Sequence, residues 1–195
     1  MRILGITGGS GCGKTTALEA ARTLGALALD CDEIYHSMLD EDLELLANIE
    51  KRFPGMVQGG RLARKELGNL VFSDHEALIA LNAITHSAVR REVLRRLAEW
   101  PGELAAIDAV ALLEGDLASL CTWTAAVCAP YEDRIARLMT REGISRDYAA
   151  RRIQAQPDDA YYRTRCDYCL ENRGTKQEFF EMCLTLFQRL ATGEN

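Results

Sequence analysis

One stretch constrains this chain more than any other: Gly8-Gly9-Ser10-Gly11-Cys12-Gly13-Lys14-Thr15. It follows the apolar run Ile3-Leu4-Gly5-Ile6 and precedes Thr16-Ala17-Leu18-Glu19-Ala20-Ala21-Arg22, which reads as a helix. The spacing G-x-x-x-x-G-K-[ST] between a strand and a helix is that of a loop whose successive N–H groups converge on phosphate oxygens. Glycines permit the turns, and the positive end of the following helix dipole favours an anion. Lys14 is placed to reach the β- and γ-phosphates, and the Thr15 hydroxyl to hold Mg²⁺. Residues 8–15 with Thr16 therefore form a candidate nucleoside-triphosphate site.

Composition narrows the partners. The chain of 195 residues carries a net charge of −6, which argues against a general nucleic-acid binder, since that needs a basic face. Its apolar runs fall short of the about 20 residues needed to cross a bilayer. The first strand begins at once, so no signal peptide is predicted and a cytoplasmic setting is expected. Seven cysteines are scattered. Cys166 and Cys169 form a C-x-x-C, but no second pair has zinc-ligand spacing, so reduced thiols are expected. In a strand those two would point to opposite faces. The oligomeric state is left open.

After the first helix, Ala26-Leu27-Ala28-Leu29 reads as a second strand ending in Asp30-Cys31-Asp32. Ligands of open parallel sheets bind beyond the carboxyl ends of strands, beside the phosphate loop here. Asp30 and Asp32 share a side if the strand conformation continues; alternatively one of them caps a helix starting near Glu33. From about Tyr35 to Pro101 no strand is expected. Helical patterns cover 40–53, 64–72, 75–84 and 87–100. Pro54-Gly55 and Gly59-Gly60 break the first two apart, and Ser73 with Glu76 gives a start signal. His75 is expected to face solvent, and His86, at a helix junction, to touch a ligand or play a bland role.

The sheet resumes with Leu104-Ala105-Ala106-Ile107-Asp108, Asp108 standing where a second acidic residue supports Mg²⁺, and then Thr124-Ala125-Ala126-Val127-Cys128. Residues 134–165 hold eight arginines against four acidic residues, a local excess of +4. Arg134, Arg137 and Arg141 fall on one helix face. Either this is a solvated, ion-paired hairpin, or a lid bringing charge to a transferring phosphoryl group. Tyr168-Cys169-Leu170-Glu171 is the last strand, and a helix over 176–190 closes the chain. Strands alternating with helices predict an α/β fold with a parallel sheet.

Taken together, residues 5–16, Asp30-Cys31-Asp32, residues 107–114, Arg152-Ile153-Gln154-Ala155-Gln156-Pro157, Asp167-Tyr168 and Asn172-Arg173-Gly174 resemble the dephospho-coenzyme A kinase family, in the same order and over nearly the whole chain. The resemblance implies ATP- and Mg²⁺-dependent phosphorylation of the ribose 3′-hydroxyl of dephospho-coenzyme A. It implies a phosphate-loop kinase core (1–34, 102–133, 166–195), a helical acceptor-binding subdomain (35–101) and an arginine-rich lid (134–165). By that match Asp32 is the base, Lys14 and Arg141 act on the phosphates, and Asn172, Arg173 and Gly174 flank the adenine. Asp32, His86 and Asp108 face the acceptor. Departures from the family pattern are Ser87 after His86, where proline is usual, and Val110-Ala111-Leu112-Leu113-Glu114. Two other readings stay open: another small-molecule or nucleotide kinase, and an ATP-binding regulator without turnover.

Overall fold

The computed structural model describes residues 1–193. In chain order the main elements are β1 (Arg2–Thr7), α1 (Lys14–Thr23), β2 (Leu27–Asp30), α2 (Cys31–Glu41), α3 (Leu43–Arg52), β3 (Val57–Gln58), β4 (Arg61–Leu62), α4 (Arg64–Ser73) and α5 (His75–Glu99). They continue with β5 (Leu104–Asp108), β6 (Trp123–Cys128), α6 (Tyr131–Glu142), α7 (Arg146–Gln154), α8 (Asp159–Arg163), β7 (Tyr168–Glu171) and α9 (Lys176–Thr192). Two compact units emerge, one of Met1–Asp30 with the chain from Trp100 onward, the other Cys31–Glu99. The arginine-rich segment belongs to the first.

The first unit is built on a sheet of five parallel strands in the order β2-β5-β1-β6-β7. Strands covered on both faces read as unbroken apolar runs, as in residues 3–6, 104–107 and 125–128. Against one face pack α1 and α9, burying Ile6, Ala17, Leu18, Phe179 and Phe187 together. Each such large side chain contributes about 1.5–3 kcal/mol of burial. Thr175 and Glu178 close a reciprocal capping box at the start of α9. On one side of the central strand β1 lie β5 and β2, and on the other β6 and β7, so the chain changes side after β5. The carboxyl end of β1 is therefore a topological switch point, where an open α/β sheet leaves a crevice.

The second unit is mainly helical and differs from the sequence expectation in several places. One continuous helix of 25 residues, α5, replaces the two expected over 75–84 and 87–100. Neither glycine nor proline interrupts it, and Thr85 stays in register by bonding back to the Asn82 carbonyl at 3.2 Å. His86 is thus exposed in the middle of a helix and not at a junction, and His75 is exposed at its start. Asp74, not Ser73, caps α5, its Oδ1 accepting from the N–H groups of Glu76 and Ala77 at 2.9 and 3.1 Å. The helix expected over 40–53 is split at Asp42, whose carboxylate accepts from Leu45 N–H at 2.9 Å and starts α3 afresh. Gly59-Gly60, both at positive φ (58° and 77°), turn a short hairpin between β3 and β4 where no strand was expected.

Two corrections concern the sheet itself. The chain passes from β2 to α2 without an intervening loop, so the extended geometry does not continue past Asp30 and the period-two relation of Asp30 to Asp32 does not apply. Cys166 precedes β7 and so does not alternate with Cys169 along a strand.

Candidate active site

The phosphate loop runs from Gly8 to Gly13 between β1 and α1. Positive φ at Gly13 (110°) sets the first turn of α1, and a Cβ there would lie 2.3 Å from Asn172 Nδ2, so only glycine fits. Gly9 lies so close to Arg134 that a Cβ would stand 2.0 Å from a guanidinium nitrogen. No side chain caps α1 and its first turn holds no acidic residue, which leaves its positive end to an incoming anion. Lys14 Nζ donates to the carbonyls of Gly8 at 3.0 Å and Gly9 at 3.5 Å, and Thr15 is exposed on the first turn.

Side chains from far along the chain hold the outside of this loop. Arg134 Nε donates to Ser10 C=O at 2.9 Å. Arg137 reaches Gly11 C=O and Cys12 C=O at 3.3 Å each. Asn172 Nδ2 donates to Cys12 C=O at 2.8 Å and its Oδ1 accepts from Arg137 at 3.2 Å. In a trans peptide C=O and N–H point in opposite directions. Drawing the carbonyls of Ser10 and Cys12 toward these donors therefore turns the N–H groups of Gly11 and Gly13 the other way. Cys12 N–H folds back on Gly9 C=O at 3.3 Å. Burial pushes the Cys12 thiol up, with Lys14 and Arg134 opposing, so it is a packed neutral group in the loop.

The topology explains these meetings. β6 pairs with β1 (Thr7 beside Ala126), and α6 begins three residues after β6 ends, so its first turn lies over the loop that follows β1. β7 pairs with β6 (Glu171 beside Cys128), and Asn172 N–H donates to Cys128 C=O at 2.8 Å. On the other side, Asp30 and Asp108 are register partners at the carboxyl ends of β2 and β5, with Asp108 also beside Ile6. Asp108 is buried, 6% exposed. Ala109 N–H donates to Ile6 C=O at 3.1 Å and Thr7 Oγ1 to Val110 C=O at 3.2 Å, fixing that edge to the loop.

The three arginines expected on one face of α6 divide. Arg134 is 5% exposed and committed to the loop, Arg137 is half-buried on it, and Arg141 is exposed at the far end of the helix. Seven residues of α-helix span about 10 Å, which separates the last from the first. Arg141 pairs with Glu142 at 2.5 Å, and Arg152 pairs with the same carboxylate at 2.6 Å. Those pairs hold the Glu142 carboxyl below its usual range, the hydrogen bond from Arg141 first. Asn172, matched to the adenine side, is 5% exposed with its side chain on the loop, while Arg173 and Gly174 are exposed beyond β7. Asp32 lies in the first turn of α2. Gln156, just past α7, touches the loop although nothing but its place in the family-like segment singled it out: a polar residue after a helix end carries no local signal.

The dephospho-CoA kinase family model matches residues 2–178. The chain belongs to the dephospho-CoA kinase family. It is 34% identical over 191 residues to a dephospho-CoA kinase of Thermus thermophilus, covering 98% of this chain and 93% of that one. Among solved structures, TT1252 from Thermus thermophilus superposes with a TM-score of 0.82 at 36% identity, covering 98% and 97% of the two chains. The dephospho-CoA kinase from Campylobacter jejuni does so with a TM-score of 0.71 at 25% identity over the full length of both. This kinase therefore has the phosphate-loop kinase fold and, by family, uses ATP. No helix among the described residues is long and apolar enough to cross a membrane.

The donors present suit a hard divalent cation. Mg²⁺ prefers oxygen, keeps several waters and takes few protein ligands beside substrate phosphates. Thr15 offers a hydroxyl from the first turn of α1 and Asp108 a carboxylate at the end of β5, and no cluster of three or more metal-binding His, Cys, Asp or Glu side chains occurs among the described residues.

Proposed function

We propose that this chain transfers the γ-phosphoryl group of ATP to the ribose 3′-hydroxyl of dephospho-coenzyme A, the final step of coenzyme A synthesis. The observation that carries the reading is the phosphate loop at the switch point of the sheet, its carbonyls drawn outward by Arg134, Arg137 and Asn172, with Asp30 and Asp108 on the adjoining strand ends. In this reading the phosphate loop of residues 8–16, through the amides that its own contacts do not already occupy, and Lys14 bind the triphosphate. Thr15 and Asp108 would hold Mg²⁺, which would supply charge neutralisation for the transferring phosphoryl group. Phosphoryl transfer needs positioning and electrostatic stabilisation more than covalent help. A secondary alcohol must still be aligned and lose its proton, and Asp32, in the first turn of the helix that follows β2, is the proposed base. Arg141 is the proposed lid arginine, exchanging its pairing with Glu142 for the transferring group. Asp32, His86 and Asp108 are proposed to meet the acceptor, with Arg173 and Gly174 beside the adenine of ATP and Asn172 joining them through the loop.

The test is ADP release measured with and without dephospho-coenzyme A and across a panel of nucleosides and nucleotides. Acceptor-dependent ADP release specific to dephospho-coenzyme A is expected, with the product phosphate on the 3′-oxygen. A different preferred acceptor makes this another small-molecule kinase, and slow ATP hydrolysis indifferent to every acceptor makes it a regulator.

A further inference from the structure

Ser10 stands at the middle of the phosphate loop and is almost wholly buried, 5% exposed. All three of its polar groups are taken. Its N–H donates to Gln156 Oε1 at 2.7 Å, its Oγ accepts from Gln156 Nε2 at 3.0 Å, and its C=O accepts from Arg134 Nε at 2.9 Å. The same Gln156 oxygen lies 3.5 Å from an Arg134 nitrogen, and Arg134 is braced by Asp159 at 3.6 Å. We propose that Gln156 is a positioning residue for phosphoryl transfer: its carboxamide locks Ser10 and thereby aims the loop amides that receive the triphosphate. The proposal rests on the phosphate-binding role assigned to the loop above.

The chemistry of the contact singles out glutamine. A carboxamide offers an acceptor and a donor a fixed distance apart, and Ser10 presents a main-chain N–H and a hydroxyl oxygen to match. Glutamate keeps the acceptor but has no donor. Asparagine keeps both but is one methylene short, and methionine fills the space with neither. The grip has a consequence for the loop. Once Gln156 claims the Ser10 N–H, that amide is withdrawn from any phosphate, and the peptide plane before Ser10 is set. Arg134 sets the plane after it, so the Gly11 N–H points away from the Arg134 side. The two successive peptide planes that flank Ser10 are thus held by residues 146 and 124 positions away, Gln156 and Arg134. Preorganised donors are worth most when they need not reorient as charge develops, and misplacement by about 1 Å costs on the order of 10²-fold.

Gln156→Met and Gln156→Asn, with Gln156→Glu as the conservative variant, test this through steady-state kinetics and calorimetric titration with ADP. Gln156→Met is expected to lower kcat/KM for ATP by about 10- to 10²-fold and to weaken ADP binding, with KM for dephospho-coenzyme A unchanged. Gln156→Asn should be impaired likewise, and Gln156→Glu should recover part of the loss, since it still accepts from Ser10 N–H. Loss confined to the nucleotide side is what a merely structural role would not produce. Wild-type ATP kinetics in Gln156→Met, or in Gln156→Asn should the methionine variant not fold, overturns the proposal; so does a loss shared equally with the acceptor KM. If wild-type protein shows no acceptor-dependent ADP release, the proposed reaction fails, and the positioning role is still decided by ADP affinity.

Discussion

The phosphate loop and the helical unit Cys31–Glu99 spend their polar groups differently. In the loop, Ser10 is held by Gln156 and Arg134 and Cys12 by Asn172, partners 146, 124 and 160 residues away, and the contacts are buried or nearly so. In the helical unit the charged groups pair at the surface: Arg91 with Asp42 and Glu44, Arg95 with Glu92 and Glu99, Arg64 with Asp40. Exposed ion pairs contribute about 0–1 kcal/mol because water and salt compete for both partners. Buried hydrogen bonds to loop atoms are costlier to lose, since the abandoned group keeps its desolvation penalty, about 1–3 kcal/mol. The loop is therefore expected to be intolerant of single changes, and the helical surface forgiving.

Lys14→Ala is the sharpest break of that comparison. The ammonium donates to the loop carbonyls of Gly8 and Gly9 and packs into no apolar cluster of the described residues, so the fold should survive, while turnover should drop by at least the worth of a phosphate-directed cation, about 10³-fold. A folded variant with near wild-type kcat would remove the loop from the chemistry. Next is Asp32→Asn, which keeps shape and removes basicity. It should cut kcat by on the order of 10²–10⁴-fold with ATP affinity little changed. Asp30→Asn, at the strand end beside Asp108, should be milder in kcat, and the reverse ranking exchanges their roles. Arg141→Ala should lower kcat by on the order of 10²–10³-fold, more than it raises KM for ATP. An effect on KM alone would make Arg141 an ordinary binding residue.

The helical unit supplies the small end of the scale. Arg91→Ala removes two exposed pairs and should cost less than about 1 kcal/mol in denaturant unfolding, with kcat untouched. The smallest effect is in acid. Hydrogen bonds from Arg95, and then from Arg96, pull the Glu92 carboxyl down from its ordinary 4.5 to about 2. A lowered carboxyl stabilises the fold fully above its unfolded value, and that stability fades as pH falls from about 4.5 toward 2. Glu92→Gln should flatten this part of the stability profile; an unchanged slope would show that the pair contributes nothing.

Much of the architecture follows from local pattern. Apolar runs located three of the five sheet strands within a residue of their ends and the other two, β5 and β7, at their observed bounds, and G-x-x-x-x-G-K-T named the loop and its ligand class. These signals are local because strand burial, helix start and glycine turn each depend on a few adjacent residues. What depended on long-range packing was not legible. Nothing near residue 85 announces that α5 runs on unbroken, because only neighbouring elements decide whether a permissive stretch bends. Nothing in an i, i+3, i+7 spacing tells that Arg134 is buried on the loop while Arg141 is exposed. Nothing around Gln156 signals a partner 146 residues back. The strands and the loop chemistry belong to the sequence by itself. Which side chains hold that loop in shape was decided only when β6 and β7 lined up beside β1, since a hydrogen bond between distant residues has no trace in either one's neighbourhood.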